Sequence, residues 1–92
     1  MRLRAKIDNN QKKIVEQLRK CGYSVQSLAT IGSGCPDILV GKGGRNYLFE
    51  IKDGSKPPSQ RKLTPDEITW ALNWKGQVDV VTDIDQILKI LL

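Results

Sequence analysis

Three charged side chains, Asp37, Glu50 and Lys52, have the types and the spacing of a hydrolytic site. Glu50 and Lys52 lie two residues apart in an apolar segment, which predicts a strand with both on one face, about 7 Å apart along it. Asp37 begins a preceding strand, residues 37–40, and the glycine-rich segment 41–44 predicts a hairpin turn. In an antiparallel hairpin the start of one strand lies beside the end of the other, so we expect the three to converge at one sheet edge.

Two carboxylates beside a lysine indicate a metal site rather than core packing. Buried charges are costly unless they are paired or bound to a metal. Mg²⁺ prefers oxygen ligands, commonly one or two carboxylates with water, and the backbone carbonyl of Ile51 could add another. Such an ion suits phosphodiester hydrolysis, in which Lys52 orients the attacking water or stabilises charge on the phosphate. The alternative interpretation is a solvated surface triad.

The composition of the 92-residue chain supports one small domain and excludes several chemistries. The chain has no histidine, which excludes Ser-His-Asp and Cys-His catalysis and His-ligated zinc. Two cysteines, Cys21 and Cys35, are too few for a disulfide scaffold or a four-cysteine zinc site. No apolar run reaches the length of a membrane span, and the basic N-terminus does not continue as a secretory signal. A cytoplasmic location is therefore expected.

The charge is unevenly distributed along the chain. Lys and Arg number 15 and Asp and Glu 10, for a net charge of +5. Residues 1–62 carry 13 basic and 5 acidic side chains, or +8, whereas residues 63–92 carry 2 and 5, or −3. A basic first two-thirds predicts a polyanionic partner, with nucleic acid as the first choice. A solubilising surface is the alternative.

Hydrophobic periodicity and turn residues predict the element order α-β-β-β-α-β-α. The predicted elements are a helix over 9–21, strands over 23–28, 37–40 and 46–52, a helix from the Thr64 cap to about Lys75, a strand over 77–82, and a final helix after Asp83. Consecutive strands with short turns, followed by a helical crossover to a fourth, predict an α/β fold. Its mixed four-stranded sheet would be flanked by helices.

The segments 34–40 (GCPDILV) and 49–52 (FEIK) resemble the PD-(D/E)XK nuclease signature. Over roughly residues 7 to 90 the chain is similar to the VRR-NUC family, in its small stand-alone phage and prophage form. The further matching positions are Lys52–Gly54, Lys56–Ser59, Arg61, Leu63–Glu67, Trp70, Trp74 and Gly76–Val78.

This resemblance implies a restriction-endonuclease-like αβββαβ core plus a C-terminal helix, in a single domain over residues 1–92 with residues 1–6 as a basic tail. It also implies DNA cleavage that depends on Mg²⁺ or Mn²⁺, with Asp37 and Glu50 as metal ligands and Lys52 as the catalytic lysine. Stand-alone members are expected to be homodimers that cut branched DNA such as four-way junctions, in the cytoplasm of a phage-bearing bacterium.

Two further positions are compared with the family. Gln11 stands where many relatives carry an acid, and the apolar stripe of the first helix predicts that it points inward. Its amide oxygen could coordinate the metal or hold a metal-bound water, whereas the alternative is a capping box with Asp8. Glu67 stands where other branches often have a glutamine that lines the site. Closure of the Thr64 cap is the alternative for Glu67.

Several loop positions are candidates for DNA contact. The loop over 54–62 follows the catalytic strand, and we expect three basic residues in it to contact phosphates, namely Lys56, Arg61 and Lys62. A mobile solvated loop is the alternative. The glycines Gly32 and Gly34 would let a DNA backbone approach the main-chain amides beside Asp37. Trp70 and Trp74 are predicted either in a dimer interface or in packing beneath the last helix.

The sequence therefore predicts a metal-dependent, homodimeric endonuclease. Sequence-specific recognition is not expected, because no readout motif is visible. One alternative is a non-catalytic nucleic-acid-binding domain of the same fold, acting as a subunit of a larger assembly. Another is a small homodimeric adaptor with a basic surface.

Overall fold

The protein forms a four-stranded sheet flanked by three helices, seen in a computed structural model that describes residues 8–92. The elements are α1 (Asn9–Lys20), β1 (Ser24–Ser27), β2 (Ile38–Lys42), β3 (Arg45–Ile51), α2 (Pro65–Asn73), β4 (Asp79–Val81) and α3 (Ile84–Leu91). The strand order is β1-β2-β3-β4, antiparallel up to β3 and parallel between β3 and β4. The predicted α/β class, mixed sheet, αβββαβ order and C-terminal helix are confirmed. The predicted tail, residues 1–6, lies outside the described residues.

The hairpin between β2 and β3 is tighter than predicted. β2 ends at Lys42, which pairs with Arg45, so the turn is Gly43 and Gly44 alone rather than 41–44. Both glycines have positive φ, 58° and 77°, which is the geometry of a type I′ turn. Only glycine adopts this conformation at little cost. The two-residue turn therefore fixes the register of the whole hairpin.

One face of the sheet carries the hydrophobic core. Alternate residues of the strands pack there against α1 and α3, which contact each other. The core cluster comprises Ile14, Leu18, Ile38, Val40, Phe49, Ile51, Val81, Ile87 and Leu91. Because strand side chains alternate, Glu50 lies on the opposite face, where it shares a small cavity with Glu67 and Trp70 of α2.

All three helices begin near one end of the sheet, where β3 and β4 finish and β2 starts; we call it the Lys52 end. Asn10, in the first turn of α1, donates from Nδ2 to the Lys52 carbonyl at 3.2 Å. Glu67, in the first turn of α2, lies 2.7 Å from Lys52 Nζ. α3 follows β4 after a short connection. Within residues 8–92 none of these helices has the length and apolar character to cross a lipid bilayer.

The strand β4 is shorter than the predicted strand over 77–82. The side chain of Gln77, rather than its backbone, forms hydrogen bonds with the backbone of β3. Its Oε1 accepts from the Leu48 amide at 2.7 Å, and its Nε2 donates to the Leu48 carbonyl at 2.8 Å. Backbone pairing consequently begins only at Asp79. α2 also ends earlier than Lys75, because Trp74 adopts an extended conformation.

Candidate active site

The register of β2 and β3 brings the two predicted carboxylates together. Ile38 pairs with Phe49, so Glu50 and Asp37, the residue directly before β2, lie one step beyond that pair. The Asp37 amide donates to the Phe49 carbonyl at 3.0 Å, which ties the residue before β2 to β3. Residues at opposite positions of a strand pair share a face. Both carboxylates therefore project to the α2 side of the sheet, where they interact directly.

The Asp37 carboxylate is fixed by the main chain of the same strand that carries Glu50. Its Oδ2 accepts a hydrogen bond from the Ile51 amide at 2.6 Å. The next amide, of Lys52, donates in the other direction, to the Val81 carbonyl at 2.8 Å. The amide and carbonyl of one strand residue point the same way. The Ile51 carbonyl, predicted as an additional metal ligand, therefore projects towards the Asp37 side of β3.

Lys52 lies between two glutamates. Its Nζ is 2.7 Å from Glu67 Oε1 and 3.9 Å from Glu50 Oε2. The Glu67 oxygen that contacts Lys52 also accepts from the Thr64 amide at 2.8 Å, and Thr64 Oγ1 accepts from the Glu67 amide at 3.3 Å. The capping box predicted for Thr64 and Glu67 is therefore confirmed. The same carboxylate also reaches the candidate catalytic lysine.

The site carries more negative than positive charge. Burial raises the pKa of Glu50 to about 9, and the hydrogen bond and charge of Asp37 and the charge of Glu67 add to the rise, while Lys52 opposes it. Burial alone would raise the pKa of Glu67 too, but hydrogen bonds from Lys52 and Thr64 outweigh it and lower the pKa. One ammonium thus faces three carboxyl groups, an imbalance that a bound cation would relieve.

The donor set fits a hard divalent cation. Two adjacent carboxylates, Asp37 and Glu50, and the carbonyl of Ile51 offer oxygen ligands of the kind that Mg²⁺ and Mn²⁺ take. Across residues 8–92 there is no group of three or more His, Cys, Asp and Glu side chains arranged to hold a metal. The side-chain ligands in this donor set are the carboxylates of Asp37 and Glu50. Water would fill other positions, as it commonly does around Mg²⁺.

Gln11 is buried, as its place in the apolar stripe predicts, with 5% of its surface exposed. The alternative of a capping box with Asp8 is wrong, because the Asp8 side chain makes no hydrogen bond to α1. Gln11 lines a groove with Lys12 and Ser27, beside β1, rather than the cavity that holds Glu50. Its proposed role at the metal stays a prediction.

Asn10 is a residue of this region that the sequence did not single out. Its Nδ2 lies 3.2 Å from the Lys52 carbonyl and 3.5 Å from the Thr82 carbonyl, so it ties α1 to the ends of β3 and β4. In the sequence Asn9 and Asn10 are equivalent polar residues at a helix start. Only the placement of α1 against the sheet distinguishes them.

The loop before Asp37 contacts α2 closely. Gly32, Ser33 and Gly34 all have positive φ, of 73°, 55° and 80°. A Cβ on Gly34 would lie 2.2 Å from the Asp66 carbonyl oxygen, whereas one on Gly32 would meet nothing within 4 Å. The absence of a side chain at Gly34 therefore allows this loop to pack against the start of α2. The predicted contacts of Gly32 and Gly34 with DNA stay predictions.

The two tryptophans stack on each other, with ring centroids 4.6 Å apart. Trp70 lines the cavity with Glu50, on the sheet face opposite the core that contains α3. Trp70 therefore packs within the domain, as one alternative predicts, but between α2 and the sheet rather than beneath the last helix, because α2 and α3 cover opposite faces. The dimer interface stays a prediction.

Comparisons with protein-family models, with curated proteins and with solved structures find no match to this chain. The likeness to the VRR-NUC family thus stays a prediction from the motifs. The functional conclusion depends on the arrangement of Asp37, Glu50, Lys52 and Glu67.

Proposed function

We propose that the protein is a metal-dependent DNA endonuclease that hydrolyses phosphodiester bonds at the Lys52 end of the sheet. The observation that supports this most strongly is the adjacency of Asp37, directly before β2, to Glu50 of the paired strand β3, with Lys52 Nζ 3.9 Å from Glu50 Oε2. A rigid sheet is a suitable support for such a group, because small displacements of reacting groups are costly to catalysis.

Each residue of the site has a role in this proposal. Asp37, Glu50 and the Ile51 carbonyl would hold Mg²⁺ or Mn²⁺, which supplies activation of a water molecule and neutralisation of phosphate charge. The Ile51 amide keeps Asp37 in its orientation through the 2.6 Å hydrogen bond. Lys52 donates to a non-bridging phosphate oxygen, where charge increases during in-line attack. Glu67 holds the ammonium of Lys52 in place.

The proposed substrate is DNA bound without sequence readout, and the family likeness favours branched DNA such as four-way junctions. Lys56 and Lys62 are exposed in the loop that follows Lys52, where they would contact phosphates. We further propose a homodimer, which would present two sites to two strands. Exposed apolar side chains in α2, at its C-terminal end and in β4 support an interface between copies; they are Leu72, Trp74 and Val80.

A cleavage assay on linear, flapped and four-way DNA tests the proposal. Wild-type protein should cleave with Mg²⁺ or Mn²⁺ and should be inactive in chelator. Lys52→Ala should be slower by about 100-fold or more, because one preorganised donor at a developing charge contributes about that much. Cleavage unchanged by chelator would contradict the mechanism. DNA binding without cleavage under either metal would favour the non-catalytic binding domain.

Glu67→Ala should lower the single-turnover cleavage rate by about 10- to 100-fold, the usual effect of removing a group that orients a ligand or catalytic residue. The reason is that Lys52 Nζ loses its nearest partner, at 2.7 Å. Thr64→Ala is the matched control, because it removes the other half of the capping box and leaves the lysine contact. It should cost about 1 kcal/mol of unfolding free energy without a comparable loss of rate. Equal rates for the two variants would show that Glu67 is only a cap.

A further inference from the structure

An open groove runs between α1 and β1, which is an edge strand of the sheet. It is lined by one side of α1, from Gln11 to Lys20, and by Ser27 of β1. Its volume is about 620 Å³, which lies within the range of ligand-binding clefts. The proposed metal site uses none of the exposed residues of this groove, so the groove is free to bind something else.

The groove begins beside the candidate active site. Ser27 pairs with the first residue of β2, which directly follows Asp37. The amide of Leu28, the residue after Ser27, donates to the Asp37 carbonyl at 2.8 Å. From Gln11 to Lys20 the helix rises by about 13 Å. The groove therefore leads away from the Lys52 end over a length that suits about three nucleotides of one strand.

The charged side chains of the groove favour an anionic ligand. Lys12, Arg19 and Lys20 carry positive charges there, whereas Glu16 carries the one negative charge of the lining. Glu16 lies 3.3 Å from Lys20, but the two side chains are 68% and 74% exposed, and an exposed pair of this kind contributes little. Phosphate groups can therefore compete with Glu16 for Lys20.

Arg19 is held in position at the wall of the groove. Its Nη2 donates to the Val25 carbonyl of β1 at 2.9 Å. A guanidinium has five N–H donors, so this bond leaves others for a ligand. In the loop that follows Lys52, by contrast, Arg61 is half-buried and its Nε is closed to solvent. Arg19 thus combines a fixed position with accessible charge, which Arg61 does not.

The less exposed part of the lining is uncharged. Gln11 is buried and Val15 is half-buried, whereas the cations occupy exposed positions. An apolar side chain can pack against sugars and base faces, and a side-chain amide can donate to or accept from the edge of any base. This arrangement suits a strand whose phosphates face the cations and whose sugars and bases face the helix.

We propose that the groove between α1 and β1 binds a single-stranded segment of nucleic acid that leads away from the bond that is cut. Its phosphates contact Lys12, Arg19 and Lys20, and its sugars and bases contact Val15 and Gln11. A duplex is too wide to enter a groove between one helix and one strand, so the ligand is a single strand. This inference rests on the proposed function for the identity of the polymer, and flapped DNA supplies such a segment.

The fluorescence anisotropy of a labelled oligothymidylate measures binding, in chelator so that no cleavage occurs. The double variant Lys12→Ala/Lys20→Ala should bind this single strand about tenfold more weakly than the wild type. The slope of log affinity against log salt concentration should fall by about 1.4, because each phosphate contact on a single strand contributes about 0.7. The control Lys13→Ala/Lys89→Ala removes the same charge from exposed positions outside the groove, and it should weaken binding by about twofold or less.

A blunt duplex of the same length is the second ligand in this experiment. The groove variant should bind the duplex within about twofold of the wild-type affinity, because the duplex does not enter the groove. An equal loss of affinity for the control variant would overturn the proposal. The same loss on the duplex as on the single strand would also overturn it, since the groove would then act only as basic surface.

An NMR titration of the wild-type protein avoids any dependence on how the variants fold. On addition of the oligothymidylate, the methyl signals of Val15 and the side-chain amide signals of Gln11 should shift well beyond the methyl signals of Val80, on the opposite edge of the sheet. No shift at Val15 would overturn the proposal. Equal shifts with a glutamate peptide of the same charge would assign the groove to an acidic protein segment and also overturn it.

The two proposals can fail separately. Selective shifts at Val15 in a protein that cleaves no DNA would reject the endonuclease and still support the groove as a site for a single strand. Metal-dependent cleavage without shifts at Val15 would reject the groove alone.

Discussion

The Asp37→Asn variant is expected to cleave DNA at least about 1,000-fold more slowly than the wild type and to retain its affinity for DNA. A metal ion contributes several kcal/mol to stabilising a phosphoryl transition state, and about 4 kcal/mol corresponds to this factor in rate. Asparagine keeps the side-chain volume and can still accept from the Ile51 amide, which lies 2.6 Å from Asp37 Oδ2. The substitution therefore removes the charge that a cation needs and leaves the local fold in place.

Single-turnover rates at saturating DNA, with Mg²⁺ or Mn²⁺, measure this effect separately from binding. Asp66→Asn is a suitable control, because Asp66 is an exposed carboxylate in the first turn of α2 and makes no contact with Lys52. It should cleave within about twofold of the wild type, as expected for a screened surface charge. An Asp37→Asn rate within tenfold of the wild type would exclude Asp37 as a metal ligand.

Gly34→Ala is expected to lower the free energy of unfolding by about 3 kcal/mol or more. The new Cβ would lie 2.2 Å from the Asp66 carbonyl oxygen and 2.8 Å from the Glu67 amide nitrogen. The left-handed backbone of Gly34 adds a cost of about 1–2 kcal/mol for any residue with a Cβ. Both neighbours are main-chain atoms, so relief requires that the start of α2 move away from the loop. Cleavage should fall as well, since that movement displaces Glu67 from Lys52.

The Gly32→Ala variant separates the steric clash with α2 from the conformational cost of a left-handed backbone. Its φ of 73° is similar to that of Gly34, but a Cβ there would meet nothing within 4 Å. It should therefore show only the conformational cost, about 1–2 kcal/mol. Chemical denaturation measures the free energy of unfolding of both variants. The two values are comparable when the slope of that free energy against denaturant concentration is unchanged. Equal losses of stability would mean that the contact between Gly34 and α2 contributes nothing.

The convergence of Asp37, Glu50 and Lys52 could be predicted because it depends on local rules. Side-chain alternation places Glu50 and Lys52 on one face, and a hairpin with a short glycine turn places Asp37 beside the end of the next strand. The error in the length of that turn did not matter, because the prediction placed Asp37 beside the end of β3 without specifying which residue it pairs with. The αβββαβα order was predictable for similar reasons, from period and turn residues.

The contacts that complete the site could not be predicted from local patterns. The bond between Glu67 and Lys52 requires α2 to begin over the end of β3, which depends on the close approach of Gly34 to Asp66. The same limit applies to Asn10, whose partners are the carbonyls of Lys52 and Thr82, far along the chain. A capping motif in the sequence is also insufficient by itself to predict a capping hydrogen bond, since Asp8 stands at the N-cap of α1 and its side chain makes none.

A single oxygen of Glu67 accepts hydrogen bonds from the Thr64 amide and from Lys52 Nζ. Fraying at the beginning of α2 consequently also releases the lysine, with an opening free energy below that of global unfolding. Hydrogen exchange at the Thr64 amide would therefore report how much of the time this fraying leaves the ammonium group without Glu67. That population can be read in the resting protein, before any substrate is added.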